Sequence, residues 1–221
     1  MNFDKNFHTY DKNATVQKIV ASNLTNFIEN NLKNDDINSI FEIGCGTGIF
    51  TKDFLNKFSP DKILLNDYFD TEEYLKNINY SKFYKGNIEN IEIPKVDIII
   101  SSSALQWIEN LENLISKLAS SSDRLGFSIY LKENLNEIAK HFNISLNYFT
   151  LNEIEKILNR YFSKVVSLEE IHQINFDSPI EALRHLKNTG VTGFKKSSVK
   201  DIRAFPYKSL TYKVGYFYCE K

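Results

Sequence analysis

The amino-acid sequence predicts a doubly wound α/β fold built on a mostly parallel sheet of seven strands. First, short apolar runs typical of buried strands alternate with segments of helical periodicity. Second, the first of these runs ends in a loop with a glycine at every second position and continues into a helix. Third, two longer strand patterns close the chain. We expect one domain over residues 1–221, with an N-terminal arm at 1–14 and an insertion at about 177–208.

The first part of the chain supplies five of the strands. Their runs lie at 40–42, 62–66, 82–84, 96–100 and 125–130. Apolar residues at positions i, i+3, i+4 and i+7 predict a helix from Val16 to Leu32, and further helices are expected at 49–58 and 111–119. The arm carries Phe3, Phe7 and Tyr10, which are costly to leave in solvent, so we expect it to dock over a cleft.

The last third adds two strands and the insertion between them. Thr150 with Glu153 predicts a capping box that opens a helix through residue 161. Ser178 and Pro179 suit the N-cap and first position of a second helix, 180–187. Strands are expected at 164–176 and 210–219. The insertion would therefore lie near the carboxyl ends of the strands, over a ligand site.

Composition restricts the class of function. The net charge of −1 offers no electrostatic basis for binding nucleic acid. No apolar run approaches the roughly 20 residues of a membrane span. Cys45 and Cys219 show no metal-type spacing, which predicts no metal site and fits a reducing cytoplasm. We expect a cytoplasmic monomer.

The glycine loop predicts a nucleotide-like ligand. Gly44, Gly46 and Gly48 follow a G-x-G-x-G spacing, which differs from the G-x-G-x-x-G of dinucleotide sites and disfavours an NAD oxidoreductase. The Glu42 carboxylate beside the loop suits a cationic ligand better than a pyrophosphate. Asp67 follows Gly48 by 19 residues (67 minus 48), where an acidic side chain can accept from ribose hydroxyls.

The Glu-x-Gly-x-Gly-x-Gly run resembles motif I of the class I S-adenosylmethionine (SAM) methyltransferases, which share a Rossmann-like fold. More discriminating segments extend along nearly the whole chain and are similar to the malonyl-[acyl-carrier protein] O-methyltransferases. Those segments are the arm from Phe3 to Gln17, Gly86–Glu89, Ser103–Trp107, Leu183–Gly190 and Leu210–Tyr212.

This resemblance implies SAM as cofactor and a set of residues that bind it. The implied cofactor-binding positions are Tyr10, Gln17, Glu42, Gly44, Cys45, Gly46, Gly48, Asp67, Asn87, Ile88 and Ser101. Asn87 stands where the family usually has Asp, and its amide oxygen can still accept from the adenine amino group. The candidates for positioning the substrate are Tyr10, Gln106, Trp107, Arg184 and His185.

The implied reaction esterifies the free carboxylate of malonyl carried on acyl carrier protein, at the entry to biotin synthesis. A carboxylate with an intrinsic pKa near 4 is already ionised at pH 7, so no general base is needed. We expect Arg184 to hold one oxygen, the thioester end or the carrier arm, while Tyr10 and Trp107 exclude water. Because acyl carrier proteins are acidic, a basic run could steer their docking. That run comprises Lys195, Lys196, Lys200 and Arg203.

Two other functions fit the same residues. One is a SAM-dependent methyltransferase that acts on a free small acid resembling trans-aconitate. The other is a SAM-binding protein without turnover, against which the intact glycine loop and Asp67 argue.

Overall fold

The computed structural model describes residues 7–32, 37–144, 147–189 and 198–221. Its centre is a seven-stranded sheet in the order β3-β2-β1-β4-β5-β7-β6. Neighbouring strands from β1 to β5 pair in parallel, whereas β7 runs antiparallel to both β5 and β6. The strands are β1 (Ser39–Ile43), β2 (Lys62–Asp67), β3 (Lys82–Lys85), β4 (Ile98–Ser102), β5 (Arg124–Tyr130), β6 (Lys164–Asn175) and β7 (Ser209–Glu220). The predicted α/β sheet is confirmed.

Helices cover both faces of the sheet. They are α1 (Phe7–Asn13), α2 (Thr15–Asn31), α3 (Ile49–Leu55), α4 (Leu111–Ser121), α5 (Asn136–Phe142), α6 (Leu151–Leu158), α7 (Pro179–Asn188) and α8 (Val199–Ala204). Three short 3₁₀ helices lie in the loops, at Glu72–Tyr74, Ile88–Asn90 and Leu105–Trp107.

Successive strand residues alternate between two hydrophobic layers. Ile40 joins a cluster with Leu24 and Ile28 of α2, while the next residue, Phe41, joins a cluster on the opposite face. That second cluster includes Ile115 of α4. Burial on both faces explains why these strands are continuous apolar runs rather than alternating ones.

The two helix starts predicted in the last third of the chain, at Thr150 and at Ser178, are confirmed. The Thr150 hydroxyl accepts from the Glu153 N–H at 3.3 Å, and the Glu153 carboxylate accepts from the Thr150 N–H at 2.7 Å, which is the full capping box. Ser178 caps α7 through the Glu181 N–H, with Pro179 in the first turn.

Several element bounds differ from the predicted ones. Helix α3 ends at Leu55 rather than at 58, and α6 ends at Leu158 rather than at 161. Strand β4 begins at Ile98 rather than at 96 and continues through Ser102, which moves its carboxyl end toward the ligand loop. Helices α1, α5 and α8 were not expected, because six or seven residues are too few to show a clear helical period.

The segment between β6 and β7 emerges at the carboxyl end of the parallel strands, because β6 runs in the same direction as β5. Its helix α7 buries Ala182 and Leu186 and meets α1, where the Asn188 amide donates to the Asn13 side chain at 3.5 Å. Residues 190–197, which include Lys195 and Lys196, lie outside the described residues. The position of the insertion over the substrate stays a prediction.

Candidate cofactor and active site

A cavity of about 600 Å³ opens where β1, β2, β4 and β5 end. This volume is within the range of small-molecule sites, and the edge is where open α/β sheets hold ligands. Nine of the predicted cofactor residues line it: Tyr10, Gln17, Glu42, Gly44, Cys45, Gly46, Asp67, Asn87 and Ile88. Among the predicted substrate-positioning residues, Tyr10, Gln106 and Trp107 line it. The structure thus brings most of the predicted site together.

The three glycines of the loop serve two structural purposes. All three have positive φ, at 70° for Gly44, 52° for Gly46 and 78° for Gly48. A Cβ on Gly44 would lie 2.4 Å from the Ala104 Cβ, and one on Gly48 would lie 2.6 Å from the Ile78 side chain. A Cβ on Gly46 would meet no protein atom within 4 Å. Gly46 therefore borders the open space, while Gly44 and Gly48 permit close packing of the loop.

Asp67, the last residue of β2, is tied to the glycine loop. One carboxylate oxygen accepts from the Gly46 N–H at 2.8 Å and the other accepts from the Phe69 N–H at 2.9 Å. Burial raises the pKa of Asp67, and these backbone donors oppose that shift. Each oxygen retains a second lone pair, so the carboxylate can still accept from ligand hydroxyls.

Glu42 and Gln17 present acceptors to the cavity. The Glu42 Oε2 and Gln17 Oε1 atoms are buried without a hydrogen-bond partner in the described ranges. Burial raises the pKa of the Glu42 carboxyl to about 8, an effect that the neighbouring Thr51 hydroxyl partly opposes. Buried acceptors left unpaired are costly, and a cationic donor would satisfy both. These residues fit the ammonium and sulfonium groups of SAM.

Asn87 caps the 3₁₀ helix that follows β3. Its Oδ1 accepts from the Glu89 N–H at 2.9 Å, and Ile88 beside it is buried. The predicted contact with the adenine amino group would use the second lone pair of the same oxygen. That contact stays a prediction.

Two predicted cofactor residues do not line the cavity. Gly48 shapes the loop and precedes α3. The buried Ser101 hydroxyl donates to the Ile43 carbonyl at 2.9 Å, which joins β4 to β1. Because β4 continues to Ser102, the serines that do line the cavity are Ser102 and Ser103. The Ser101 hydroxyl thus has a structural partner, and its contact with the cofactor stays a prediction.

Arg184 and His185 lie on α7, away from the cavity lining. The helix turns Leu186 inward and leaves Arg184 exposed. His185 Nε2 lies 3.1 Å from the Tyr212 hydroxyl, its ring packs beside Phe176, and burial lowers its pKa. His185 is therefore placed as a neutral packing residue, and a role for either side chain in substrate binding stays a prediction.

Sequence reasoning missed Ser103, Tyr130 and Tyr148 among the residues that line the substrate end of the cavity. Ser103, Tyr130 and Gln106 each have a buried polar oxygen without a hydrogen-bond partner in the described chain, and all three line the cavity. Tyr148 completes the wall there. Gln106 was predicted by resemblance only, while Tyr130 reads as core at the end of an apolar strand. The position of Tyr130 at the carboxyl end of a strand is the feature of the sequence that indicates a place at the ligand site.

The described residues contain no cluster of ligating side chains that could hold a metal ion. None of the helices within those ranges has the length and apolar character needed to cross a bilayer.

Solved structures share the fold of this chain. The chain matches the YcgJ protein from Bacillus subtilis with a TM-score of 0.65 at 12% identity, covering 90% of this chain and 98% of that one. It matches the plantazolicin methyltransferase BpumL, solved in complex with SAH, with a TM-score of 0.57 at 15% identity, covering 100% and 89%. A family model described as a methyltransferase domain matches residues 41–126. The fold and site define a class I SAM-dependent methyltransferase.

Sequence relatives give the family. A malonyl-[acyl-carrier protein] O-methyltransferase from Calditerrivibrio nitroreducens is 36% identical over 199 residues, which cover 88% of this chain and 80% of that protein. One from Bacteroides thetaiotaomicron is 32% identical and covers 89% and 78%. The chain belongs to the malonyl-[acyl-carrier protein] O-methyltransferase family, as the resemblance predicted.

Proposed function

We propose that the chain transfers a methyl group from SAM to the free carboxylate of malonyl held on acyl carrier protein, giving the methyl ester that enters biotin synthesis. The observation that carries the proposal is the family likeness over almost the whole chain, on a cavity that keeps the glycine loop, Glu42 and Asp67. The expected monomeric state and cytoplasmic location are part of this proposal.

The cofactor end of the cavity is suited to a sulfonium nucleoside. When bound, SAM supplies an electrophilic methyl group on a positively charged sulfur. Glu42 and Gln17 offer the buried acceptors for its amino group, and Asp67 offers lone pairs to its ribose hydroxyls. Gly46 leaves space for close approach to the loop. A cation bound beside Glu42 would favour the ionised form of its carboxyl.

The chain has little proton chemistry to perform. The acceptor carboxylate is ionised at pH 7, so its oxygen forms the new O–C bond while the electron pair of the breaking C–S bond goes to sulfur. No proton is transferred, and the methyl ester and the thioether that result are both neutral. Charge is lost on the way to the transition state, so a site with little water favours the reaction. The aromatic side chains that would exclude water from this cavity are those of Tyr10, Trp107 and Tyr148.

The carrier protein would dock on the late insertion. Lys200 and Arg203 are exposed on α8, beside the exposed Val199. Arg184 is exposed on α7 of the same segment. Charges so exposed would act on the approach of an acidic partner more than on the reacting group. We therefore assign Arg184 to the carrier arm among its predicted roles.

Mass spectrometry of malonyl-carrier protein incubated with SAM and the purified chain tests the proposal. The expected result is one added methylene mass on the malonyl carrier and none on acetyl-carrier protein, which lacks the carboxylate. Parallel reactions with free malonate and trans-aconitate separate the carrier-specific enzyme from a small-acid methyltransferase. SAM binding without product from any of these acids would instead support a non-catalytic role.

A further inference from the structure

Two buried hydroxyl groups, those of Ser103 and Tyr130, line the cavity at the ends of neighbouring strands. Ser103 Oγ and Tyr130 OH are both buried, and neither has a hydrogen-bond partner in the part of the chain that the structure describes. Ser103 follows β4 and Tyr130 ends β5, and these two strands are direct neighbours. Burial raises the pKa of Tyr130, and the Ser103 hydroxyl partly opposes that shift. Both hydroxyls line the cavity and are available to a ligand there.

The backbone holds Ser103 in this position at a conformational cost. The backbone φ of Ser103 is +54°, a value that residues other than glycine seldom adopt. Its N–H donates to the Ser128 carbonyl at 3.1 Å and approaches the Ser128 hydroxyl at 3.2 Å, while its carbonyl accepts from the Gln106 amide at 2.5 Å. Strain of this kind persists where surrounding contacts fix the residue, and it is common at ligand sites.

The charge of the cavity decides what these hydroxyls would bind. The charged residues that line it are all acidic: Glu42, Asp67, Glu89 and Glu109. Within the described ranges, the lining includes no Lys, Arg or His. Among the described lining residues, the donors available to an anionic substrate are therefore neutral, and the positive charge of the cofactor would act beside them.

We propose that the hydroxyls of Ser103 and Tyr130 bind one oxygen of the substrate carboxylate and leave the other oxygen to attack the methyl group. This inference rests on the proposed function. Neutral donors suit the reaction, because an ion pair with arginine would withdraw charge from the attacking oxygen. Burial raises the pKa of Tyr130, so its hydroxyl keeps the proton that it must donate.

Removing each hydroxyl tests the inference. We expect Tyr130→Phe and Ser103→Ala each to lower kcat/KM for malonyl-carrier protein by about 10- to 100-fold, the usual cost of losing a hydrogen bond to a charged group. The calorimetric Kd for SAM should change less than about threefold. Ser103→Gly removes the hydroxyl while suiting the positive φ, so it should fold at least as well as wild type and show the same loss.

Matched variants control for the substitution itself. Tyr80 donates to Glu72 on the surface, and Ser120 bonds its own helix, both outside the cavity lining. Tyr80→Phe and Ser120→Ala should leave kcat/KM unchanged.

Binding without turnover separates carboxylate recognition from general damage. With S-adenosylhomocysteine present, wild type should bind malonyl-carrier protein more tightly than acetyl-carrier protein, which has no carboxylate. Tyr130→Phe and Ser103→Gly should lose most of that difference while keeping the affinity for acetyl-carrier protein. If both variants retain the malonyl preference and the wild-type kcat/KM, the inference is wrong while the proposed function stands. If wild type methylates no malonyl-carrier protein, the proposed function itself fails.

Discussion

The Asp67 carboxylate accepts a 2.8 Å hydrogen bond from the backbone N–H of Gly46, which joins the end of β2 to the one loop glycine that borders open space. The preceding residue of β2 also holds this loop, since the N–H groups of Gly44 and Cys45 donate to the Asn66 carbonyl at 2.8 and 3.0 Å. The shape of the loop and the proposed ribose contact therefore depend on adjacent residues at the end of one strand.

Substituting Asp67 should weaken cofactor binding strongly. Asp67→Ala removes the acceptor for Gly46 and the acceptor proposed for the ribose, so we expect the Kd for SAM to rise by about 10- to 100-fold. Asp67→Asn keeps one acceptor oxygen and should lie between Ala and wild type. Isothermal calorimetry measures these values.

Asp70→Asn is the matched control for Asp67. Asp70 pairs with Lys85 at 3.1 Å on the surface, and both side chains are more than half exposed. Such pairs contribute little, so its Kd for SAM should equal that of wild type. An unchanged Kd in Asp67→Ala would remove Asp67 from the cofactor site.

Cofactor binding should release a proton from Glu42. With a pKa of about 8 in the free protein, this carboxyl is about nine-tenths protonated at pH 7, and a bound cation favours the ionised form. Calorimetry in buffers with different ionisation enthalpies should show proton release near pH 7. Glu42→Gln should abolish the release and weaken binding; equal proton release by this variant would assign the proton elsewhere.

The same carboxyl should make the free protein less stable as pH rises. The pKa is about 8 when folded and 4.5 in the unfolded reference, so between these values the folded state binds more protons. The free energy of unfolding therefore falls with rising pH across that window. Thermal melts without cofactor should show a weaker fall for Glu42→Gln. Asp67 shifts in the same direction, and comparison of the two proteins isolates Glu42.

Alanine at two loop glycines should separate folding from binding. Gly44→Ala places a Cβ 2.4 Å from the Ala104 Cβ, so we expect a loss of stability of more than about 2 kcal/mol from overpacking and positive φ together. Gly46→Ala meets only the positive-φ cost, about 1 kcal/mol, but its methyl enters the cavity. Melts and SAM calorimetry should show Gly46→Ala as the better-folded and weaker-binding protein; the opposite order would contradict this division.

The sequence predicted the cofactor half of the site because that half is local in the chain. Strand, glycine loop and helix are contiguous, and Asp67 is fixed by a nearly constant spacing to the loop. The end of β4 is less well predicted: the strand continues to Ser102, so the serines that line the cavity are Ser102 and Ser103 rather than Ser101.

The substrate half depends on tertiary alignment. Tyr130 ends an apolar strand and reads as core in the sequence, whereas in the structure it lines the same cavity as Ser103, which follows the neighbouring strand β4. The surroundings of α7 are also difficult to predict from sequence. The helical pattern predicts which face of α7 is buried, but not what the opposite face contacts. The resemblance therefore predicts a role for Arg184 at one oxygen, the thioester end or the carrier arm, and the structure adds that the helix leaves this side chain exposed.

Charge reversal on α8 should weaken recognition of the carrier and not of the acyl group. Lys200 and Arg203 are exposed, and an acidic carrier would be steered by them at low salt. For the double variant Lys200→Glu with Arg203→Glu, we expect the KM for malonyl-carrier protein to rise by about tenfold at low ionic strength, with kcat nearly unchanged. The difference should shrink as salt is added, because exposed charges are screened beyond about 10 Å at 0.1 M.

Two comparisons make the α8 prediction specific. Methylation of malonyl-pantetheine, which lacks the protein, should be equal in wild type and the double variant, because neither side chain lines the cavity. Lys62→Glu with Lys95→Glu changes the net charge by the same amount at exposed positions next to the amino ends of β2 and β4, the opposite edge of the sheet. This control should keep the wild-type KM for the carrier substrate. A similar KM rise in both double variants would indicate a general effect of net charge, and docking on α8 would then be excluded.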